Sequence, residues 1–322
     1  MSLTTAAAID CGTNSIRLLV ADADPATGRL VDRERRMEIV RLGQGVDRTG
    51  RLAPEALERT LAACRGYAEV IAAHGVTPDR LRFVATSASR DAENRAEFVD
   101  GVRAILGVEP EVITGEEEAA LSFTGATREL AGRPEVARPF LVMDIGGGST
   151  EFVLGDEGVT AARSVDIGCV RLTERHLTAP DGTVADPPGA EALAALTADI
   201  DAALELAAER VPLERAGTLV GLAGSVTTVA AMALELPSYD PSAIHHAVLE
   251  RDRVREIVDW LLTATHEERA AVPSMHPGRV DVIGAGALVL LRAMERADVP
   301  RVTVSEHDIL DGIAFHAAGE VR

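Results

Sequence analysis

The sequence predicts an α/β protein made of two similar domains, and three observations carry that expectation. Residues 8–22 return in altered form as residues 142–156: an apolar strand ending in Asp, a turn rich in Gly and hydroxyls, and a second apolar strand. Short apolar runs then alternate with stretches of helical periodicity in both halves. A chain of 322 residues exceeds the usual size of one hydrophobic core, and a hydrophobic content of 47% can fill two.

Taken in order, residues 6–10 and 15–22 form the first hairpin, and residues 30–40, heavily charged, form a third strand at a sheet edge. Residues 54–74 have helical periodicity with Pro54 in the first turn, where a missing N–H does no harm. Residues 81–86 read as a buried strand, 91–106 as a helix, 111–113 as a short strand and 115–130 as a helix. The pattern restarts with strands at 140–145, 150–154 and 159–165. Helices follow at 169–177 and 191–209, joined by the Pro/Gly/Asp-rich surface loop 179–189. A strand at 218–223, helices at 225–234, 251–263 and 279–296, a strand at 301–304 and a helix at 309–318 close the chain. The Arg/Pro/Gly segment 131–139 marks the boundary, giving domains 1–130, completed by the C-terminal helix 307–322, and 131–306.

Composition removes several classes of function. Only 3% of residues are aromatic, which leaves few platforms for stacking bases. The formal charge is −19 and all 32 basic residues are arginines, so the global field repels nucleic acid and anionic membranes, and neither is an expected partner. A polyanionic ligand would need a local concentration of Arg, backbone N–H groups and metal. The absence of lysine also excludes a Walker-type phosphate loop, whose signature needs Gly-Lys-Ser/Thr. Cys11, Cys64 and Cys169 are widely spaced, without a Cys-x-x-Cys pair, and neither a signal-peptide pattern nor a run of about eighteen apolar residues occurs. The expectation is a soluble cytoplasmic protein with reduced thiols.

The duplicated turns point to phosphate. Small residues let the backbone approach a ligand, and successive N–H dipoles pointing inward make an anion cradle. Gly146, Gly147, Gly148 and Ser149 offer such groups in the second copy, and Asn14 and Ser15 in the first. The plain alternative for a Gly-rich turn is a tight hairpin, less attractive here because both copies keep Asp, Gly and Ser in register. Two such loops facing one another across a cleft would grip a phosphate chain. Asp144 ends a buried strand, where an uncompensated carboxylate is costly, so a cation is expected beside it. Mg²⁺, held partly through water, suits that position, with Mn²⁺ as the alternative.

Three hairpin-forming strands followed by alternating helices and strands, given twice, describe the duplicated ribonuclease-H-like architecture of the actin, sugar-kinase and heat-shock-chaperone ATPase superfamily, with an interdomain cleft. Six motifs narrow the reaction: Asp10-Cys-Gly-Thr-Asn-Ser15, Arg41-Leu-Gly-Gln-Gly45, Ala85-Thr-Ser-Ala-Ser-Arg90, Thr114-Gly-Glu-Glu-Glu-Ala119, Asp144-Ile-Gly-Gly-Gly-Ser-Thr-Glu151 and Gly168-Cys-Val-Arg-Leu-Thr-Glu174. Their order and spacing resemble those of the exopolyphosphatase/guanosine pentaphosphate phosphohydrolase family. The resemblance implies Mg²⁺-dependent hydrolysis of the terminal phosphate of inorganic polyphosphate, or of the 5′-γ-phosphate of guanosine pentaphosphate. It also implies a homodimer.

Individual residues carry different weights. Thr114 and Glu117 have the spacing of a capping box, and Glu116 is favoured by the helix dipole. Glu118 is not needed for capping and falls on the family's catalytic glutamate, which implies the general base that deprotonates the attacking water. Glu151 matches a family carboxylate of the metal or water site, and a solvent-facing strand residue is its plain alternative. Asp10 is the counterpart of Asp144 in the first copy and is counted with the metal site, as a ligand or just behind the ligands. Arg90 and Arg171 sit at expected helix starts, where the dipole disfavours a cation unless phosphate is bound, with ion pairs to Asp91 or Glu174 as the bland account. Arg17 shares a strand face with Ser15 and reaches the same cleft. The later turn Gly221-Leu-Ala-Gly-Ser225 fits a distal phosphate or a nucleoside. Neighbours such as His245 and His246 do not face one site on a regular element, so an exposed or capping pair is expected, and His307 is read as modestly.

Two departures from the family bear on substrate length. Longer members add a C-terminal helical region, whereas this sequence ends at Arg322, and Ser305-Glu-His-Asp-Ile-Leu-Asp-Gly312 replaces the family's Ser-x-x-Gly-Leu-Arg-Glu-Gly with less positive charge. Short chains are the expected substrate. The rival readings are an ATP-dependent kinase of the same superfold and a non-catalytic sensor of guanosine tetraphosphate.

Overall fold

The computed structural model describes residues 3–24, 29–133, 135–179 and 181–319, with the backbone alone for Asp91. Residue 134 of the expected boundary segment, residue 180 of the expected 179–189 loop and residues 320–322 of the C-terminal segment lie outside the described residues. The chain divides into two compact units, Met1–Arg128 with Ile309–Arg322, and Glu129–Asp308.

The first unit is a five-stranded sheet in the order β3-β2-β1-β4-β5, made of β1 (Thr4–Cys11), β2 (Ser15–Asp24), β3 (Arg29–Ile39), β4 (Leu81–Ala85) and β5 (Glu111–Val112). The first three pair antiparallel and the last two extend β1 in parallel. Alternation along β1 sorts its side chains onto two apolar faces. Ala7, Ile9 and Cys11 pack with Tyr67 and Phe98 from helices Pro54–Ala73 and Arg95–Leu106, whereas Ala8 packs with Leu121 and Ile313 from helices Gly115–Thr127 and Ile309–Gly319. The closing helix lies so near its neighbour that a Cβ at Gly312 would meet the Leu121 carbonyl oxygen at 2.4 Å. β3 is the exposed edge that its charge foretold.

The second unit repeats the plan. Its six-stranded sheet runs β10-β11-β9-β6-β7-β8, with β6 (Phe140–Ile145), β7 (Thr150–Gly155), β8 (Val159–Val165), β9 (Thr218–Leu222), β10 (Val248–Glu250) and β11 (Arg301–Val304). β6, β7 and β8 form the antiparallel meander, and β9 and β11 continue from β6 in parallel. Helices Ala190–Ala208, Arg251–Thr263 and Ile283–Arg296 supply the facing core residues Leu196, Ile257 and Leu290. The duplicated α/β class is the one the sequence predicts. β10 escapes the sequence reading because it is three residues long and pairs only as a hairpin addition to β11.

Two expected helices are broken. In place of one helix over 91–106, the chain makes Ser87–Asp91, then Ala92 turns extended (φ −89°, ψ 129°), and Arg95–Leu106 follows. In place of one helix over 169–177, an α turn Cys169–Leu172 passes into a π-helical turn Thr173–Leu177. No helix among the described residues is long and apolar enough to cross a membrane.

Candidate active site

In the second unit the turn between β6 and β7 is built by the segment packed beneath it. The Gly146 N–H donates to the Ser149 carbonyl at 3.0 Å and closes the hairpin. The Cys169 N–H then donates to the Gly146 carbonyl at 2.9 Å, and the Val170 and Arg171 N–H groups to the Gly147 carbonyl at 2.8 and 3.0 Å. Arg171 Nε adds a 2.7 Å bond to the Gly148 carbonyl. With these carbonyls held, the N–H groups of Gly147 and Gly148 make no hydrogen bond among the described residues. Open N–H groups on a turn whose carbonyls are drawn to the other side are an anion cradle. Gly168 makes this packing feasible: a Cβ there would stand 2.3 Å from the Gly147 and Gly148 backbone.

The first unit uses the same device. The Gly12 N–H donates to the Ser15 carbonyl at 2.9 Å, the Gly43 N–H to the Thr13 carbonyl at 2.9 Å, and the Val40 and Arg41 N–H groups to the Asn14 carbonyl at 3.1 and 2.9 Å. Thr13 Oγ1 and Ser87 Oγ share a 2.8 Å hydrogen bond, and Asn14 Oδ1 is buried without a hydrogen-bond partner among the described residues.

The charges beside the two turns are opposite in kind. Asp10 faces Arg17 across β1 and β2, and the guanidinium donates to its carboxylate at 2.6 and 3.0 Å. Arg17 thus forms an ion pair with Asp10. At the matching register of the second copy Asp144 faces Glu151, and the two residues are 8% and 1% exposed. Burial rules out the solvent-facing alternative for Glu151, which accepts from Ser164 Oγ at 2.7 Å.

Glu118 enters from helix Gly115–Thr127. The capping box forms as its spacing predicts, with the Glu117 N–H donating to Thr114 Oγ1 at 3.2 Å and the Thr114 N–H to Glu117 Oε2 at 2.9 Å. That fixes the first turn and leaves Glu118 buried, 3.4 Å from Arg90 Nη1. Arg90 also donates to the Ile113 carbonyl at 2.9 Å. The helix-dipole argument does not survive for Arg90, which lies in the last turn of Ser87–Asp91, where a cation is favoured, whereas Arg171 stays in the first turn of the helical run that starts at Cys169. The bland partner of Arg90, the Asp91 side chain, lies outside the described residues. Arg171 braces the Gly148 carbonyl, and its Nη2 lies 3.9 Å from Asp166 Oδ1.

Of the exposed or capping pair expected, the capping part holds for His245, the C-cap of the short helix Pro241–Ile244, while the exposed part does not, since both rings are largely buried. His246 sits outside any regular element with φ +65°, and this left-handed turn brings the His245 and His246 rings to 3.7 Å between centroids, with His307 4.5 Å from His245. The rule that sequence neighbours diverge holds only inside helices and strands. At the turn 221–225, Ala223 is left-handed (φ +64°), and Arg279 donates to the Gly224 carbonyl at 3.1 Å and to Thr228 Oγ1 at 3.0 Å. The Ser164, Gly168 and Arg279 contacts are absent from the sequence reading. Only Gly168 had a local signal, a glycine heading a motif.

A model of the Ppx/GppA phosphatase family matches residues 19–320. Exopolyphosphatase 2 of Mycobacterium tuberculosis is 50% identical, with 99% of this chain and all of that protein covered. Among solved structures, an exopolyphosphatase-like protein is 44% identical with a TM-score of 0.88, covering 96% of this chain and 97% of the other. The Ppx/GppA family member of Aquifex aeolicus is 30% identical with a TM-score of 0.76, covering 98% of this chain and 97% of the other.

Proposed function

This chain belongs to the Ppx/GppA phosphatase family, and we propose that it is an exopolyphosphatase, a hydrolase that removes the terminal phosphate of inorganic polyphosphate. One observation carries the reading. Where the first copy neutralises Asp10 with Arg17, the second sets Asp144 against Glu151 in buried positions. Two buried carboxylates at one register offer hard oxygen donors to a divalent cation.

The donor set fits Mg²⁺: both groups are hard carboxylate oxygens, and Ser164 orients one of them. Mn²⁺ accepts the same donors. Bound there, the ion would neutralise charge on the phosphate oxygens as the terminal bond breaks. Asp10, held by Arg17, is then a support for the first turn rather than a ligand.

The remaining roles fall to the chain itself. The N–H groups of Gly147 and Gly148, with Ser149, bind the oxygens of the terminal phosphoryl group, and Asn14 and Ser15 form a second phosphate-binding turn in the first unit. Glu118 orients the attacking water and takes its proton on a carboxylate oxygen, while Arg90 holds that carboxylate and adds positive charge for the phosphoryl oxygens. Arg171 acts through the loop it braces. Three buried free thiols support a reducing compartment, the cytoplasm.

Guanosine pentaphosphate presents the same terminal phosphoryl group, and the Arg279 guanidinium over the 221–225 turn is the feature that favours it as the second reading. Inorganic phosphate release by wild type and Glu118→Gln, from polyphosphates of defined length, guanosine pentaphosphate and ATP with Mg²⁺, tests the proposal. Release from polyphosphate that disappears in the variant is the expected result. Release from guanosine pentaphosphate alone transfers the assignment to the second reading, and silence on both overturns it.

A further inference from the structure

The second unit holds a cluster of imidazoles that the hydrolytic reaction does not use. His245 Nε2 lies 3.0 Å from Glu129 Oε2, His246 Nε2 lies 3.9 Å from the same oxygen, and His307 Nδ1 lies 3.7 Å from Glu129 Oε1. One donor atom from each of Glu129, His245 and His307 falls within 4.8 Å of the others. Donors bound at about 2.0–2.1 Å to a single tetrahedral ion stand about 3.3 Å apart, so these separations need only small adjustment. The His246 Nε2 atom is buried and has no hydrogen-bond partner among the described residues.

We propose that Glu129, His245 and His307, with His246 as fourth donor, bind a borderline divalent transition-metal ion of the Zn²⁺ class. The donor chemistry selects the ion: imidazole nitrogens with one carboxylate suit Zn²⁺ or Co²⁺, whereas Mg²⁺ prefers oxygen and its own water. The site shares no residue with the Asp144–Glu151 pair. Glu129 is half-exposed, which gives the ion a way in.

The backbone N–H of Glu306 donates to His245 Nδ1 at 3.1 Å, and Arg133 Nη2 lies 3.0 Å from His246 Nδ1. In the metal-free protein these contacts put the ring protons on the Nε2 atoms, facing Glu129. Ligation through Nε2 moves each of those protons to Nδ1 and releases the Glu306 and Arg133 contacts, exchanging two hydrogen bonds for two metal–nitrogen bonds. Glu129 is the first residue of its unit and His307 its next to last, so the ion would link the two ends of that segment as a cross-link does.

The test uses the full chain, stripped by chelator and then titrated with Zn²⁺ and with Co²⁺. The expected result is one equivalent retained through gel filtration, an intense tetrahedral Co²⁺ spectrum, a raised Tm, and no displacement by Mg²⁺. Glu129→Gln and His307→Gln should each weaken binding by at least about tenfold. No retained ion, an octahedral Co²⁺ spectrum, or binding unchanged in both variants overturns the site. If a variant fails to fold, Zn²⁺ protection of His245 and His307 from diethyl pyrocarbonate in the wild type decides, and an absence of protection overturns the proposal.

Discussion

Asp144 on β6 stands directly across from Glu151 on β7, the register at which Asp10 meets Arg17 in the first unit. The duplication has thus kept a backbone and inverted a charge. Glu151→Gln removes a carboxylate from the facing pair while keeping an amide oxygen for Ser164. The variant should gain little Tm from added Mg²⁺, which stabilises the wild type by preferential binding to the folded state. Thermal melts of both proteins, with and without Mg²⁺, measure this. An equal Mg²⁺ increment in the two would place the ion elsewhere.

Arg90 and Glu118 come from separate segments, yet their side chains meet at 3.4 Å. If Glu118 is the base, its loss acts on the chemical step rather than on substrate binding. Glu118→Gln should therefore lower kcat by about 10²–10⁴-fold with KM nearly unchanged. A rise in KM at constant kcat would make Glu118 a binding residue instead.

What the sequence reveals and what it hides follow from how local each cause is. The hairpins are legible because apolar runs end on Asp10 and Asp144 and resume at Ser15 and Thr150, and the capping box because Thr114 and Glu117 are three residues apart. The break at Ala92 has no Gly or Pro to announce it, and its signal is the weaker one of Asp91 and Asn94, poor helix formers of which Asn94 stands at the N-cap of Arg95–Leu106. The Arg17–Asp10 pair needs the register of β1 on β2, which composition does not state. The histidine cluster depends on one left-handed residue, His246, and on bringing Glu129 to residues more than a hundred positions away.

Gly168 offers a test of the anion cradle that spares every charged group. Its φ of −85° is ordinary, so the glycine is required by space alone: a Cβ would stand 2.3 Å from the backbone of Gly147 and Gly148. Backbone cannot swing aside as a side chain can. Gly168→Ala should destabilise the protein by about 1–3 kcal/mol through overpacking. By shifting the loop it should also reduce kcat/KM by about 10²-fold, the usual penalty for displacing binding groups by about an ångström. Urea unfolding and phosphate release together report both effects, and a stable, fully active variant would show that the loop does not hold the phosphate.

The capping box ahead of Glu118 predicts a pH dependence of stability with a definite sign. Hydrogen bonds from the Thr114 backbone N–H and hydroxyl hold the Glu117 carboxyl below its ordinary range. A carboxyl with a depressed folded-state pKa contributes stability that is fully present above its unfolded pKa, about 4.3, and is lost as pH falls through the lower folded value. Wild type should therefore exceed Glu117→Gln in unfolding free energy at pH 7, and the gap should close as the pH falls below about 4. Thr114→Ala removes the N-cap oxygen and should cost about 1 kcal/mol at neutral pH. Denaturant melts of the three proteins across pH 3 to 7 measure these differences. A gap between wild type and Glu117→Gln that widened toward acid would reverse the sign and remove the carboxylate from the cap.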